Sequence, residues 1–165
     1  MDDPPTPAEW RCWLEEQAPK FLLFARQQTR SEADAQDVVQ EAVVESLHRL
    51  GHRLPPPALV LATIRRRAID WARSEDRRRG REAAAIPPGP AWFDTGVEDR
   101  ELAALIRDAM GRLPENYREV VTLKVWGGLT FREIAGALGI PANTAASRYR
   151  YGLAELRKLT KPVLT

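Results

Sequence analysis

Thr130-Phe-Arg-Glu-Ile-Ala-Gly-Ala-Leu-Gly-Ile-Pro-Ala-Asn-Thr-Ala-Ala-Ser-Arg-Tyr-Arg-Tyr151 reads as two helices joined by a tight turn. Thr130 and Glu133 stand at the spacing of a capping box, in which each side chain satisfies a backbone amide at a helix start. Ala135 is small where two helices must approach closely. Gly139 suits the left-handed conformation that ends one helix, and Pro141 suits the beginning of the next. Ile134, Leu138 and Ile140 form an apolar wedge beneath the turn. On the second helix Asn143, Thr144, Ser147 and Arg148 can face outward. Asn and Arg make paired hydrogen bonds to adenine and guanine edges, and Ser or Thr bonds bases or phosphates. Arg148, Arg150, Arg157 and Lys158 add positive charge that favours phosphate. A plain helical hairpin with a solvated polar face fits the same pattern.

Working outward, apolar residues recur at helical spacing and nowhere alternate as in a half-buried strand. In 34–50, Val39, Val43, Leu47 and Leu50 form one stripe, with Asp37, Glu41 and Glu45 as a parallel acidic stripe on the other face. Pro55-Pro56-Pro57 then interrupts the helix. Val60, Leu61, Ile64, Ala68, Trp71 and Ala72 form a second stripe, which makes Trp71 a core residue, and Arg66 and Arg73 share a face away from it. Trp10 and Trp13 read as packing residues. Residues 85–96, rich in Pro and Gly, look like a linker. Beyond them Leu102, Leu105, Ile106, Ala109 and Leu113 form a third stripe, and Pro114 can occupy the first turn of the next helix. That helix carries Tyr117, Val120, Val121 and Lys124, and Gly127-Gly128 ends it. The expected fold is all-α: two small helical bundles (7–80 and 97–161) joined by a flexible linker (81–96), the second containing the helix-turn-helix.

With 29% charged and 44% hydrophobic residues the chain has the balance of a soluble globular protein. Its net charge of +2 decides little, whereas the distribution of charge says more. Residues 31–47 hold five acidic side chains and no Lys or Arg, while 65–81 hold eight arginines against Asp70, Glu75 and Asp76. Such asymmetry points to different partners for different faces, with nucleic acid on the basic one. The single Cys12 excludes an intrachain disulfide and a cysteine zinc cage. His48 and His52 lack further ligands nearby in sequence, so neither a metal nor another cofactor is expected. No apolar run approaches the roughly 20 residues of a membrane span. The acidic, proline-rich start is unlike a secretory signal, so a cytoplasmic protein without membrane insertion is expected. No phosphate loop or nucleophile–histidine set is evident, so an enzyme is not expected.

Leu113-Pro-Glu-Asn-Tyr-Arg-Glu-Val-Val-Thr-Leu-Lys-Val-Trp-Gly-Gly-Leu-Thr-Phe-Arg-Glu-Ile-Ala135 and Asp34-Ala-Gln-Asp-Val-Val-Gln-Glu41 carry a family resemblance. Over nearly its whole length the chain resembles the extracytoplasmic-function class of bacterial sigma factors. The first stretch looks like the family's region 4, and the second like its region 2 signature. Ala68-Ile-Asp-Trp-Ala-Arg73 with Arg77-Arg78-Arg79 is similar to the helix that meets the −10 promoter element.

The resemblance implies a factor that binds core RNA polymerase, recognises −10 and −35 elements and aids promoter melting. It implies −35 contacts by Asn143, Thr144, Ser147, Arg148 and Arg150. It implies −10 contacts by Arg66, Arg67, Asp70, Arg73, Arg77 and Arg78. Asp37, Gln40 and Glu41 would face polymerase, with the β′ coiled coil and β flap as the polymerase elements and a cognate anti-sigma factor as a further partner. A loop within 51–57 would form part of a pocket for an extruded base. Ala145 and Ala146 depart from the usual apolar residue and lysine, Tyr149 from a leucine, and Arg66 from an asparagine. Two other readings stay open: a regulator that binds duplex DNA alone, and a decoy that keeps the fold without melting promoters.

Overall fold

A computed structural model describes residues 3–79 and 97–164, and the expected linker at 81–96 lies outside them. The described residues form helices α1 (Pro7–Gln28), α2 (Glu32–Arg49), α3 (Pro57–Arg79), α4 (Arg100–Arg112), α5 (Glu115–Val125), α6 (Phe131–Leu138) and α7 (Ala142–Leu164), with no strand. They divide into two compact units, one with α1–α3 and the end of α6 (136–138), the other with α4, α5, α7 and the start of α6.

In the first unit the three helices pack pairwise. Thr6 and Glu9 form a capping box at the start of α1, and Ser31 caps α2 by accepting from the Asp34 amide. Phe21 and Phe24 of α1 meet a core built by Val38 of α2 and by Val60, Leu61, Ile64 and Ala68 of α3. The buried line of α2 is not the expected one. Ala35, Val38, Ala42 and Ser46 are buried, while Val39, Val43, Leu47 and Leu50 flank the core half-exposed. Small residues let helix backbones approach, so the bulky stripe is displaced to the edge. The Ser46 hydroxyl is satisfied inside the helix, donating to the Ala42 carbonyl at 2.8 Å. Trp71 is a second correction: at 39% exposure it lies outside the core, although its spacing fits the apolar stripe. Trp10 and Trp13 pack edge-on at 5.9 Å, and Trp13 meets Phe21 at 5.6 Å.

In the second unit α7 packs on α4 and α5. Asp99 caps α4 by accepting from the amides of Glu101 and Leu102. Ala103, Ala109 and Met110 of α4 and its C-cap Leu113 are buried; of the expected stripe Ala109 and Leu113 are in the core, while Leu102, Leu105 and Ile106 are half-exposed. Pro114 stands at the N-cap of α5, one position before the helical turn expected for it. Arg118 then ties the α4–α5 corner together: Nε donates to Met110 O at 2.9 Å, and Nη2 to Gly111 O at 3.2 Å and Leu113 O at 2.8 Å.

The turn between α6 and α7 follows its sequence closely. The Thr130–Glu133 capping box forms in both directions, at 3.0 and 3.1 Å. Gly139 adopts φ 67°, ψ 37°, and the Ile140 amide donates to Ala135 O at 3.1 Å. Ala145 is fully buried, so this departure from the family pattern serves helix packing. Tyr149 packs its ring on Phe131 at 5.5 Å, and Lys124 lies over the other aromatic at 4.6 Å from the Phe131 centroid.

Close contact of α5 with α7 depends on a glycine that sequence pattern did not single out. A Cβ at Gly152 would stand 2.8 Å from Val121 Cγ2 and 3.3 Å from Tyr117 Cβ. Gly152→Ala is therefore expected to destabilise the second unit by about 1–3 kcal/mol despite its gain in helix propensity. Denaturant unfolding of the full chain checks this; a variant as stable as wild type would mean that the two helices separate without cost.

Candidate nucleic-acid and polymerase interfaces

Of the residues expected on the −35 surface, Asn143 and Arg150 are exposed and Thr144, Ser147 and Arg148 are half-exposed. On a helix, positions 143, 144, 147, 148 and 151 cover one side over two turns. They form a shallow cleft of about 310 Å³ whose far wall is Asn116 and Tyr117 of α5. Asn116, Tyr117 and Tyr151 are additions to the set expected from sequence. They come from tertiary proximity, apart from Tyr151, whose helical spacing four residues after Ser147 could have revealed it. Arg150 is not among the residues that line the cleft, and its guanidinium lies 5.5 Å from the Tyr151 ring centroid. The exposed donors can reach base edges and phosphates, and the carbonyl and hydroxyl oxygens supply acceptors.

On α2, Asp37, Gln40 and Glu41 are exposed at spacings of three and four, so they share one side of the helix. Gln40 and Glu41 border a concave surface of about 540 Å³ with Val44, Glu45, His48, Arg49 and Arg67. Val44 is 45% exposed, which places an apolar contact inside a rim of mixed charge, Glu41 and Glu45 with Arg49 and Arg67. That combination suits a protein partner, where an apolar centre contributes affinity and a charged rim selects the partner.

On α3, Arg66, Asp70, Arg73, Arg77 and Arg78 are exposed and Arg67 half-exposed. Residues 66, 70, 73 and 77 repeat at steps of four, three and four, giving one charged stripe. The stripe is not uniformly available. Arg66 Nη2 donates to Glu45 Oε1, while Arg67 Nε donates to Glu45 Oε2 at 2.7 Å and its Nη1 to Glu41 Oε2 at 2.9 Å. Arg77 Nε donates to Arg73 O at 3.3 Å, and Arg78 lies 3.5 Å from Glu75. Glu45 therefore does not belong to a solvated acidic stripe, as the periodicity of α2 suggested. Beside this network Asp70 and the exposed Trp71 complete a cleft of about 440 Å³.

Hydrogen bonds from Arg66 and then Arg67 hold the Glu45 carboxyl below the usual glutamate range. Because the folded value is lowered, its contribution to stability is full above the ordinary value of about 4.3 and is lost as pH falls through the folded value. Acid unfolding of wild type and Glu45→Gln is expected to diverge above that point and converge below it. Parallel curves at all pH values would exclude Glu45 as a source of acid sensitivity.

Among the described residues no group of His, Cys, Asp and Glu could hold a metal ion, and no helix is long and apolar enough to cross a membrane.

Comparison with known proteins adds to this geometry. Residues 14–78 match the family described as sigma-70 region 2, and residues 103–156 match sigma-70, region 4. The RNA polymerase sigma-E factor of Streptomyces avermitilis is 32% identical over 139 residues, covering 84% of this chain and 77% of the relative. The ECF RNA polymerase sigma factor RpoE of Cereibacter sphaeroides is 30% identical over 147 residues, covering 86% and 80%. In fold the chain is similar to the sigma factor RpoE of Bartonella quintana, crystallised with the anti-sigma factor NepR. The TM-score is 0.68 at 19% identity, covering 92% of this chain and 96% of that one. It is also similar to CnrH in complex with the cytosolic domain of CnrY, at TM-score 0.64 and 20% identity, covering 96% and 91%.

Proposed function

Because the chain belongs to the extracytoplasmic-function sigma factors of bacterial RNA polymerase, we propose that its two units divide promoter recognition between them. The chain is a sigma factor that binds core RNA polymerase and directs promoter-specific transcription initiation. The finer assignment gives residues 97–161 the −35 element and residues 7–80 the polymerase and the −10 element, with 81–96 as a tether. The observation that carries it is the helix-turn-helix, which turns Asn143, Thr144, Ser147 and Arg148 to one exposed cleft inside the region 4 match.

Physically, the factor works by differential binding and makes no bond. Contacts from α7 to base edges select the sequence, and contacts to phosphate fix register. Asn116, Tyr117 and Tyr151 enlarge the −35 surface. The α3 stripe of Arg66, Arg67, Arg73, Arg77 and Arg78, with Asp70, faces the −10 element, and the exposed Trp71 ring offers a stacking surface for an unpaired base. Asp37, Gln40 and Glu41, around the exposed Val44, dock on the β′ coiled coil, while the second unit meets the β flap. Tethering two weak modules raises the effective concentration of each at its element. An anti-sigma factor is the regulator we assign to the chain, supported by the similar fold of the sigma factor RpoE, which was crystallised with the anti-sigma factor NepR.

The test is reconstitution with core polymerase on matching promoters. Arg148→Ala is expected to weaken −35 recognition by about tenfold or more, the magnitude of one good base contact. Core polymerase affinity should be unaltered. Equal loss of both activities would remove Arg148 from the DNA surface, and binding without any initiation would favour a decoy.

A further inference from the structure

Seven arginines between residues 65 and 79 would make α3 strongly basic if all were available to phosphate. At its α2 side they are not. One carboxylate, Glu45, accepts from both Arg66 and Arg67, and Glu41 accepts from a second edge of Arg67. The side chain of Glu45 is 23% exposed and that of Glu41 59%, so the network runs from a sheltered carboxylate to an open one. Two negative charges face two positive ones, and the pairing spans 21 to 26 residues of chain, which makes it tertiary rather than a local helix pair.

We infer that Glu45 is a carboxylate gate on DNA binding: in the free chain it occupies Nη2 of Arg66 and Nε of Arg67, so phosphate that binds these edges must displace it. The inference rests on the reading of α3 as a −10 surface. Two physical arguments support it. A guanidinium binds carboxylate and phosphate with the same edge, so the two ligands compete for one geometry. An arginine already paired with a fixed carboxylate contributes less to the field that draws nucleic acid to the surface. Glu41 adds a link to the other partner. It lies on the face assigned to polymerase, so docking that engages Glu41 takes one of the two carboxylates from Arg67. Polymerase binding and exposure of the α3 arginines are then coupled through a shared side chain, and the free factor has reduced affinity for stray nucleic acid.

The experiment uses the full chain without polymerase and a fluorescent single-stranded DNA of about 12 nucleotides, a length within the usual site size. Glu45→Gln should tighten binding by about tenfold at low salt, as expected when two ion pairs of up to about 1 kcal/mol each no longer compete. The slope of log affinity against log salt should steepen by about 1.4, the value for two added contacts to a single strand. Adding Arg66→Ala and Arg67→Ala to Glu45→Gln should abolish both changes. Glu41→Gln, at the more exposed carboxylate, should give a smaller gain and serves if Glu45→Gln does not fold. Unchanged or weaker binding by a folded Glu45→Gln chain would overturn the gate. In holoenzyme, the Arg66→Ala, Arg67→Ala pair reports separately on the underlying reading. If it impairs promoter opening while Glu45→Gln leaves free-chain binding unchanged, only the gate fails; if opening is unaffected, the −10 assignment of these arginines fails.

Discussion

Replacing Arg118 with methionine is expected to destabilise the second unit by about 3–5 kcal/mol, as for losing three hydrogen bonds from one charged donor at roughly 1.5–3 kcal/mol each, added less than fully because they share that donor. Methionine keeps an apolar stem of similar length, so the loss isolates the guanidinium. That group donates to three carbonyls, those of Met110, Gly111 and Leu113, at the point where α4 ends and α5 begins. The last carbonyls of a helix have no intrahelical donor and carry the negative end of its dipole, so a cation there is stabilising twice over. Burial lowers the Arg118 pKa from its ordinary value, the sign of desolvation that the carbonyls must offset. Within a unit of this size each kcal/mol moves the melting temperature by roughly 4–8 °C, so the shift should exceed about 12 °C. Lysine, with one compact donor group in place of a planar fork, should recover only part of the loss. A methionine variant that melts with wild type would show that water serves these carbonyls equally well.

The helix-turn-helix was legible because its signals are local. A capping box, a left-handed glycine and a proline each impose a backbone conformation from within a few residues; in 130–151 the box and the glycine form as expected, and Pro141 stands at the N-cap of α7. Helix existence was legible for the same reason. Which residues each helix buries was less so, because periodicity gives an apolar face but not the distance to its neighbour. In α2 the neighbouring helices come close enough to favour Ala35, Ala42 and Ser46 over the larger Val43 and Leu47. Trp71 sits at a core-like spacing in α3, yet the covered face continues from Ala68 to Ala72 and Glu75, and Trp71 stands to one side of it. The Arg118 corner, the Gly152 contact and the Glu45 network were invisible for a different reason. Each joins separate elements, and nothing in the spacing of a single element encodes its partner across the fold.

Reversing both charges on the outer face of α2, by Asp37→Lys with Glu41→Lys, is expected to weaken binding to core polymerase by about a hundredfold. Close charge pairs across protein interfaces are coupled by roughly 1.5 kcal/mol or more, so two reversals amount to about 3 kcal/mol or two powers of ten. Both side chains are exposed, and neither contributes to the core of the first unit, so the helical circular dichroism and unfolding midpoint should change little. The singles separate two effects that the double merges. Asp37→Lys tests the docking face alone, whereas Glu41→Lys also sets an ammonium beside Arg67, its partner at 2.9 Å. If docking depends on the face as a whole, both singles lose affinity and their losses combine in the double. If only Glu41→Lys has an effect, the rearranged Arg67 network is the cause, and the docking surface lies nearer Arg67 than Asp37. Titration of labelled protein with core polymerase at several salt concentrations checks this, since contacts at an exposed charged rim weaken as salt rises. An affinity unaltered in all three variants would take polymerase docking away from this side of α2 and leave its exposed Val44 in need of another partner.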